Sequence, residues 1–317
     1  MPGAGHLFGG NPPDKPEPFV RLRRRTGMTR LRGTLIAAAV PLVLISACAG
    51  NQPAGGSDTH TTESASVPAM DANSLVIRVE SVGGFVPAEQ NVGRIPAVSV
   101  YGDGRLITLG PAPMIYPAHS LPNIQEQMLT PELVQDLVRQ GKEAGVRNGA
   151  DFGSPNIADA PSTRVTVGDQ SVNVVALSEA RPTDPRLTDA QRTARTKLAA
   201  YVEKVKGLTA AEGVAQPVAY QPTAIAVLAR KYVPPQTPDP AAQPQAWTGP
   251  ALPGDMLNTN IGIGCVAATG ADKDKVLAAA DDSTVITPWT SGGSQWSITF
   301  RPLLPEEQDC AALKGVR

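Results

Sequence analysis

The pattern of apolar and polar positions along the chain changes near residue 74. Residues 49–73 are rich in Ser, Thr, Gly and Ala and show neither strand nor helix periodicity. Residues 75–80 begin as an apolar run, end in alternation and stop before Gly83-Gly84, which predicts a strand. The sequence therefore predicts a folded body that starts near residue 74 and follows an unfolded segment.

Two further stretches predict antiparallel hairpins. The first joins residues 97–101 to residues 105–109 across Gly102-Asp103-Gly104, whose glycines can take the positive φ angles of a tight turn. The second spans residues 163–177 and turns at Gly168-Asp169. Paired alternation of this kind is typical of strands that bury one face.

Helix boundaries are also marked in the sequence. Thr130 and Pro131 suit the N-cap and first position of a helix that Gly145 would end. Residues 188–191 resemble a capping box, and apolar positions then recur at helical spacing as far as Gly207. The apolar face of this second helix would either pack on the core or bind a partner.

The C-terminal part alternates strand and helix patterns around a proline-rich loop. Strands are predicted at residues 223–229, 261–266, 284–287 and 295–300, a helix at 272–280, and the loop at 234–253. This order predicts an α+β fold of antiparallel hairpins with packed helices, as one composite domain or as two small domains. The predicted regions are a first α+β region at 74–178, a connecting amphipathic helix at 179–215 and a second α+β region at 216–317.

The chain before these regions has the order of a secretory signal peptide. After Met28, basic side chains at residues 30–32 precede an apolar run at residues 35–45, and small residues then lead to Cys48. The run is shorter than the roughly 20 residues of a membrane-spanning helix, and Pro41 interrupts it. The pattern predicts a cleaved leader rather than a permanent span.

Residues 1–27 precede this signal and end in an arginine cluster at residues 21–25. They show no helix or strand pattern, so we predict that translation starts at Met28 within a leader of residues 1–47. The alternative is a long basic segment with a twin-arginine signal.

The tetrad Ile45-Ser46-Ala47-Cys48 resembles a lipobox, in which the cysteine thiol takes a diacylglyceryl group after cleavage. Two acyl chains anchor a protein stably, whereas one chain binds membranes marginally. The resemblance implies a lipid anchor on the extracytoplasmic face of the cell membrane, with residues 48–73 as lipidated cysteine and disordered tether. The alternative is an ordinary secreted protein with a free cysteine near its cleavage site.

Composition and charge narrow the class of partner. Hydrophobic residues make up 41%, charged residues 18% and aromatic residues 4% of the chain, so it is globular but poor in rings that could stack on bases. Before Cys48 lie seven of the 28 basic and two of the 29 acidic side chains, which leaves the mature chain with a net charge near −6. This balance argues against nucleic acid as a partner.

Cys265 and Cys310 form an even pair in a chain with an export signal, which predicts a disulfide. The bond would close an interval of 45 residues and hold the C-terminal segment on the second region.

No motif specifies a catalytic residue, a metal site or a cofactor. His119 is the single histidine beyond residue 74, so a multi-histidine metal site is excluded and a hydrolase triad would need His119. Asp151 with Asp159, the pair Asp281-Asp282 and the acids at 306–309 lack the alternating ligands and turn glycine of a calcium loop. We expect no cofactor.

Several motifs follow one another over residues 74–178: Ile77-Arg78-Val79-Glu80, Gly83-Gly84-Phe85-Val86-Pro87, Ser99-Val100-Tyr101-Gly102-Asp103-Gly104, Leu129-Thr130-Pro131, Ala144-Gly145 and Ala158-Asp159-Ala160-Pro161-Ser162-Thr163. This succession resembles uncharacterised secreted lipoproteins of high-GC Gram-positive bacteria. The resemblance implies a domain with a strand, a YGDG-type hairpin, a helix and a closing hairpin. It implies no site residue.

The loop at residues 110–123 is the candidate partner-binding surface, because Met114, Ile115, Tyr116 and Leu121 combine apolar side chains with prolines that limit flexibility. A loop of this kind more often serves as a lid over the core. We predict a non-catalytic envelope protein that binds a protein partner or a wall component. Two alternatives remain: a small-molecule or lipid carrier with an enclosed apolar cavity between the regions, and a hydrolase in which His119 and an acid meet in a cleft.

Overall fold

A computed structural model describes residues 71–314, and every structural statement below concerns these residues. Its helices are α1 (Ala88–Gly93), α2 (Pro131–Glu143), α3 (Asp189–Lys206) and α4 (Gly270–Asp281), with short 3₁₀ helices at Gly207–Ala210 and Cys310–Leu313. Its strands are β1 (Leu75–Val82), β2 (Val98–Tyr101), β3 (Arg105–Leu109), β4 (Ile124–Met128), β5 (Ser162–Val167), β6 (Gln170–Val175), β7 (Val218–Ala219), β8 (Ala224–Lys231), β9 (Gln245–Ala246), β10 (Asp255–Asn258), β11 (Ile263–Thr269), β12 (Trp289–Ser291) and β13 (Ser294–Pro302). All of them belong to one compact unit.

The strands form two sheets. The first has the order β6-β5-β1-β2-β3-β4-β7, and every neighbouring pair in it is antiparallel. The second has the order β10-β11-β8-β13-β12-β9, in which only the short β9 runs parallel to its neighbour. With four helices packed around mostly antiparallel sheets, the predicted α+β class is confirmed.

Helices α2 and α3 begin where the sequence predicts. The Thr130 hydroxyl accepts a hydrogen bond from the Leu133 N–H at 3.3 Å, and Thr188 and Gln191 form a reciprocal capping box. Both helices bury their apolar faces against the first sheet, in a cluster that we call the first core and that includes Leu137, Val165, Leu198, Val202 and Val205. The apolar face of α3 therefore serves the core.

The central strand of the second sheet is buried on both faces, which explains its unbroken apolar sequence. One face of β8 contributes to the second core, which we define by Ile225, Val227, Val276, Trp289 and Phe300. The opposite face packs against the C-terminal segment through Ala224, Ala226, Leu228, Leu303 and Leu313. The fold thus buries β8 between α4 and the chain terminus.

The C-terminal segment is fastened to the sheets by covalent and ionic contacts. Cys265 and Cys310 form the predicted disulfide, with their Cα atoms 6.0 Å apart. The buried Arg301 guanidinium donates to both carboxylate oxygens of Glu307, at 2.7 and 2.8 Å. The Tyr101 hydroxyl of the first sheet donates to the Glu306 carboxylate at 2.7 Å, so this segment contacts both sheets.

The strand predicted at residues 284–287 is wrong. The Thr287 hydroxyl accepts the Thr284 N–H at 3.0 Å, and the Thr287 N–H donates back to the Thr284 carbonyl oxygen at 3.0 Å. These bonds close a turn, in which Thr284 keeps a single bridge to His119. The strand of this region begins later, at Trp289.

Candidate functional site

The loop between β3 and β4, residues 110–123, is closed at its base. The Gly110 N–H donates to the Asn123 carbonyl oxygen at 2.8 Å. The Asn123 side-chain amide donates to the Pro111 carbonyl oxygen, also at 2.8 Å. Because these bonds join its two ends, the loop leaves the sheet and returns to it at fixed points.

The tip of the loop presents apolar side chains to solvent. Met114 is fully exposed, Tyr116 is 78% exposed and Ile115 is 49% exposed. The Tyr116 hydroxyl donates to the Asp239 carboxylate at 2.9 Å, and this hydrogen bond together with the negative charge of Asp239 raises the pKa of Tyr116. The bond ties the tip to the proline-rich loop of the second region, so the exposed residues sit on a braced segment.

The returning half of the loop packs on the second region. The Ala118 carbonyl oxygen accepts the Val285 N–H at 3.0 Å. Ser120 bonds to Ser283 twice, through its backbone N–H at 3.2 Å and between the two hydroxyls at 2.8 Å. Leu121 is half-buried and packs against the second core. The structure thus separates the four predicted residues: three form an exposed tip, whereas Leu121 covers the core.

A cleft of about 650 Å³ lies between this loop, the β4–β7 edge of the first sheet and helix α4. Its lining is mostly apolar and includes Ala118, Leu121, Ile124, Tyr220, Leu277 and Asp281. The Tyr220 hydroxyl donates to the Leu303 carbonyl oxygen at 2.8 Å, and burial raises the pKa of Tyr220. The cleft opens to solvent.

His119 and Asp281 both line this cleft. The hydrolase alternative predicts that His119 and an acid meet in a cleft. The backbone of His119 is held by its bridge to Thr284, while its side chain is exposed. Within residues 71–314 no hydrogen bond joins the His119 imidazole to a carboxylate or a hydroxyl group. A nucleophile activated by a base needs such contact, so the described residues show no preformed catalytic triad.

Two other acidic candidates, Asp151 and Asp159, lie in loops. Asp151 accepts the Gly153 N–H at 2.8 Å and the Gln191 side-chain amide at 2.9 Å, and these two bonds lower the pKa of Asp151. Asp159 adopts a positive φ of 58° in a turn. Across the described range, no group of three or more His, Cys, Asp or Glu side chains could hold a metal ion.

The predicted lipidation site falls outside the described residues. Cys48, the preceding Ile45-Ser46-Ala47 and residues 1–70 as a whole belong to that part of the chain. Within residues 71–314, no helix is both long and apolar enough to cross a membrane.

No protein-family model, no curated protein and no solved structure matches this chain.

Sequence reasoning missed the residues that complete the site. Asp239 supports the loop tip from a proline-rich stretch, and Tyr220 and Leu277 line the cleft from segments more than 50 residues apart. No local pattern marks any of the three. The one usable signal was the run of prolines in residues 110–123, which indicated a rigid loop.

Proposed function

We propose that the chain is a lipid-anchored extracytoplasmic accessory protein, related in its organisation to the secreted lipoproteins that its motifs resemble. It is held by acylated Cys48 and binds an envelope partner without catalysis. The observation that carries the binding part is the exposure of Met114 and Tyr116 on a loop that is bonded at its base and at its tip. Exposed apolar residues on a braced loop can bind a partner without a large loss of conformational entropy.

Two features support the extracytoplasmic location. The lipobox tetrad at residues 45–48 follows a leader of the required order. The Cys265–Cys310 disulfide fits an oxidising compartment, because thiols stay reduced in most cytosolic proteins. The anchor and the disulfide are independent, yet both favour export.

The anchor is tested by Cys48→Ala. We expect the wild-type protein to sediment with membranes after a wash at high salt and Cys48→Ala to be released, because high salt removes electrostatic binding but leaves acyl chains inserted. Ser57→Ala is the matched control, since it changes a residue outside the lipobox and leaves the Cys265–Cys310 disulfide intact. A Cys48→Ala protein that stays with membranes would contradict the anchor.

The binding surface is tested by crosslinking in intact cells. A double variant, Met114→Ser with Tyr116→Ser, removes apolar area from the loop tip without touching a buried residue. The matched control is Phe85→Ser, since Phe85 is 89% exposed and belongs to a different loop. We expect crosslinked partners to be lost in the double variant and kept in the control. An unchanged partner set in the double variant would remove this surface from consideration.

A second candidate, a small-molecule carrier, is favoured by one observation, the cleft of about 650 Å³ between the loop and α4. Small-molecule sites have volumes of about 300 to 1,000 Å³.

A further inference from the structure

The cleft has a rigid and mainly apolar lining. Pro113, Pro122, Pro222 and Pro302 contribute to it from three separate segments. Proline fixes its own φ angle and carries no N–H, so these positions offer apolar ring surface that cannot rearrange easily. A ligand with an apolar body would bury that surface without inducing a large change of conformation.

The lining of the cleft carries one formal charge, which is negative, and the Lys273 ammonium donates to the Pro222 carbonyl oxygen in the cleft wall at 3.3 Å. Among the described residues that line the cleft, Asp281 is the one formally charged side chain when histidine is neutral. Asp281 is exposed and forms no ion pair within residues 71–314. A cation placed beside it would gain an attraction that no protein group supplies.

The dipole of helix α4 has the same sign as the charge of Asp281 at the C-terminal end of the helix. Asp281 is the last residue of α4, where the helix dipole is negative, and the last turn of α4 holds no basic residue. Asp282 follows directly and is also exposed. Basic side chains stabilise this end of a helix, and α4 has none in its last turn, so the carboxylate of Asp281 lacks a basic neighbour there.

We propose that the cleft binds a small organic cation with an apolar body, whose positive charge lies beside Asp281 and whose body packs on the proline-lined wall. The residues that define the site are Ala118 and Leu121 on the loop, Tyr220 at the sheet edge, and Leu277 and Asp281 on α4. This inference rests on the carrier candidate of the proposed function, and it needs neither the lipid anchor nor a protein bound at Met114 and Tyr116.

Two probe ions of nearly equal shape and opposite charge test the proposal. Tetraphenylphosphonium and tetraphenylborate are titrated separately into the purified full chain by calorimetry in potassium-free buffer. One exposed charge pair contributes about a threefold change in affinity, so reversing the sign should change it about tenfold. We expect saturable binding of one phosphonium ion per chain and about tenfold weaker binding of the borate. Equal binding of the two ions, tighter binding of the borate, or no saturable phosphonium binding would overturn the proposal.

Variants then locate the binding. Asp281→Asn should weaken phosphonium binding about threefold and reduce the preference over borate, whereas Asp169→Asn, which removes an exposed charge from a distant hairpin, should do neither. Ala118→Trp should fill the cleft and weaken both ions at least about tenfold, whereas Ala210→Trp, at an exposed position outside the cleft, should not.

Circular dichroism establishes that each variant is folded. Folded Ala118→Trp protein that binds the phosphonium ion as tightly as wild type would place the ion elsewhere and overturn the proposal. A loss of membrane attachment or of crosslinked partners would leave these titrations unchanged, so the failure of this inference and the failure of the proposed function are distinguishable.

Discussion

The two sheets of the body are stabilised by different kinds of contact. The first sheet is covered by α2 and α3, and its core consists mainly of aliphatic side chains. The second sheet relies on an aromatic cluster, a disulfide and a buried ion pair. Trp247, Trp289 and Phe300 pack with ring centroids 5.5 to 6.2 Å apart, and the disulfide and the Arg301–Glu307 pair hold the terminus. The first region therefore depends on many aliphatic contacts spread over its core, whereas the second depends on a few specific contacts.

The largest effect is expected from breaking the buried ion pair of the second region. Glu307→Ala leaves the Arg301 guanidinium buried without a counter-charge and removes the acceptor of the Leu304 N–H. Removing one partner of a buried pair costs about 3 to 5 kcal/mol, which urea denaturation would measure as a loss in the free energy of unfolding.

The matched control lies in the first sheet. Glu80 and Arg164 are 3.4 Å apart, with side chains 17% and 35% exposed, and this partly solvated pair contributes about 1 kcal/mol or less. Equal losses for Glu80→Ala and Glu307→Ala would remove the difference between the two regions.

Truncation of a core residue tests the first region directly. Leu198 of α3 is fully buried in the first core, so Leu198→Ala should lower the free energy of unfolding by about 2 to 5 kcal/mol. Hydrogen exchange should show faster exchange of α3 and β1 amides than of β8 amides. The exposed neighbour Lys197 serves as the control, since Lys197→Ala should change stability little. Uniform loss of protection across both sheets would show that the regions unfold together.

Removal of the disulfide tests what stabilises the second region. Replacing both Cys265 and Cys310 by Ala removes a cross-link over 45 residues and should cost about 2 to 4 kcal/mol. The loss should be concentrated in residues 303–313, where amide exchange should accelerate while α3 stays protected. Exchange that accelerates first in α3 would contradict this assignment.

The smallest effect is expected at a helix cap of the first region. Thr188→Ala removes the hydroxyl that accepts the Gln191 N–H at 3.2 Å and should cost about 1 kcal/mol. Thr196→Ala, within the same helix, is the control and should be neutral or slightly stabilising, because Ala favours helix interiors. If both variants lost the same stability, the capping box would have no special role.

The elements that could be predicted from the sequence are those with local signals. The capping box at residues 188–191 and the Gly102-Asp103-Gly104 turn involve only neighbouring residues, so both lie where their patterns indicate. Strand β4 could not be predicted, because polar residues occupy its centre. One of them, Gln127, is buried through hydrogen bonds to the Thr209 and Ala215 carbonyl oxygens, far away in sequence. Strand β7 has two residues and is defined only by pairing with β4.

One part of the candidate site could be predicted from the sequence, and the other part could not. The exposed tip at Met114 and Tyr116 follows from apolar residues in a proline-rich loop, which the sequence displays. The cleft does not, because residues from separate segments form it only after both sheets have packed. The charge beside it, Asp281, was visible in the sequence as an acidic pair, but its place in a cleft was not.

The mass of the mature N-terminal peptide is the sharpest test of the proposed lipid anchor. The protein is isolated from the membrane fraction, digested and analysed by mass spectrometry. We expect a chain that begins at Cys48 and carries a diacylglyceryl group on the cysteine sulfur. A mature chain that begins at another residue would contradict the lipid anchor. A Cys48 thiol without an acyl group would also contradict it.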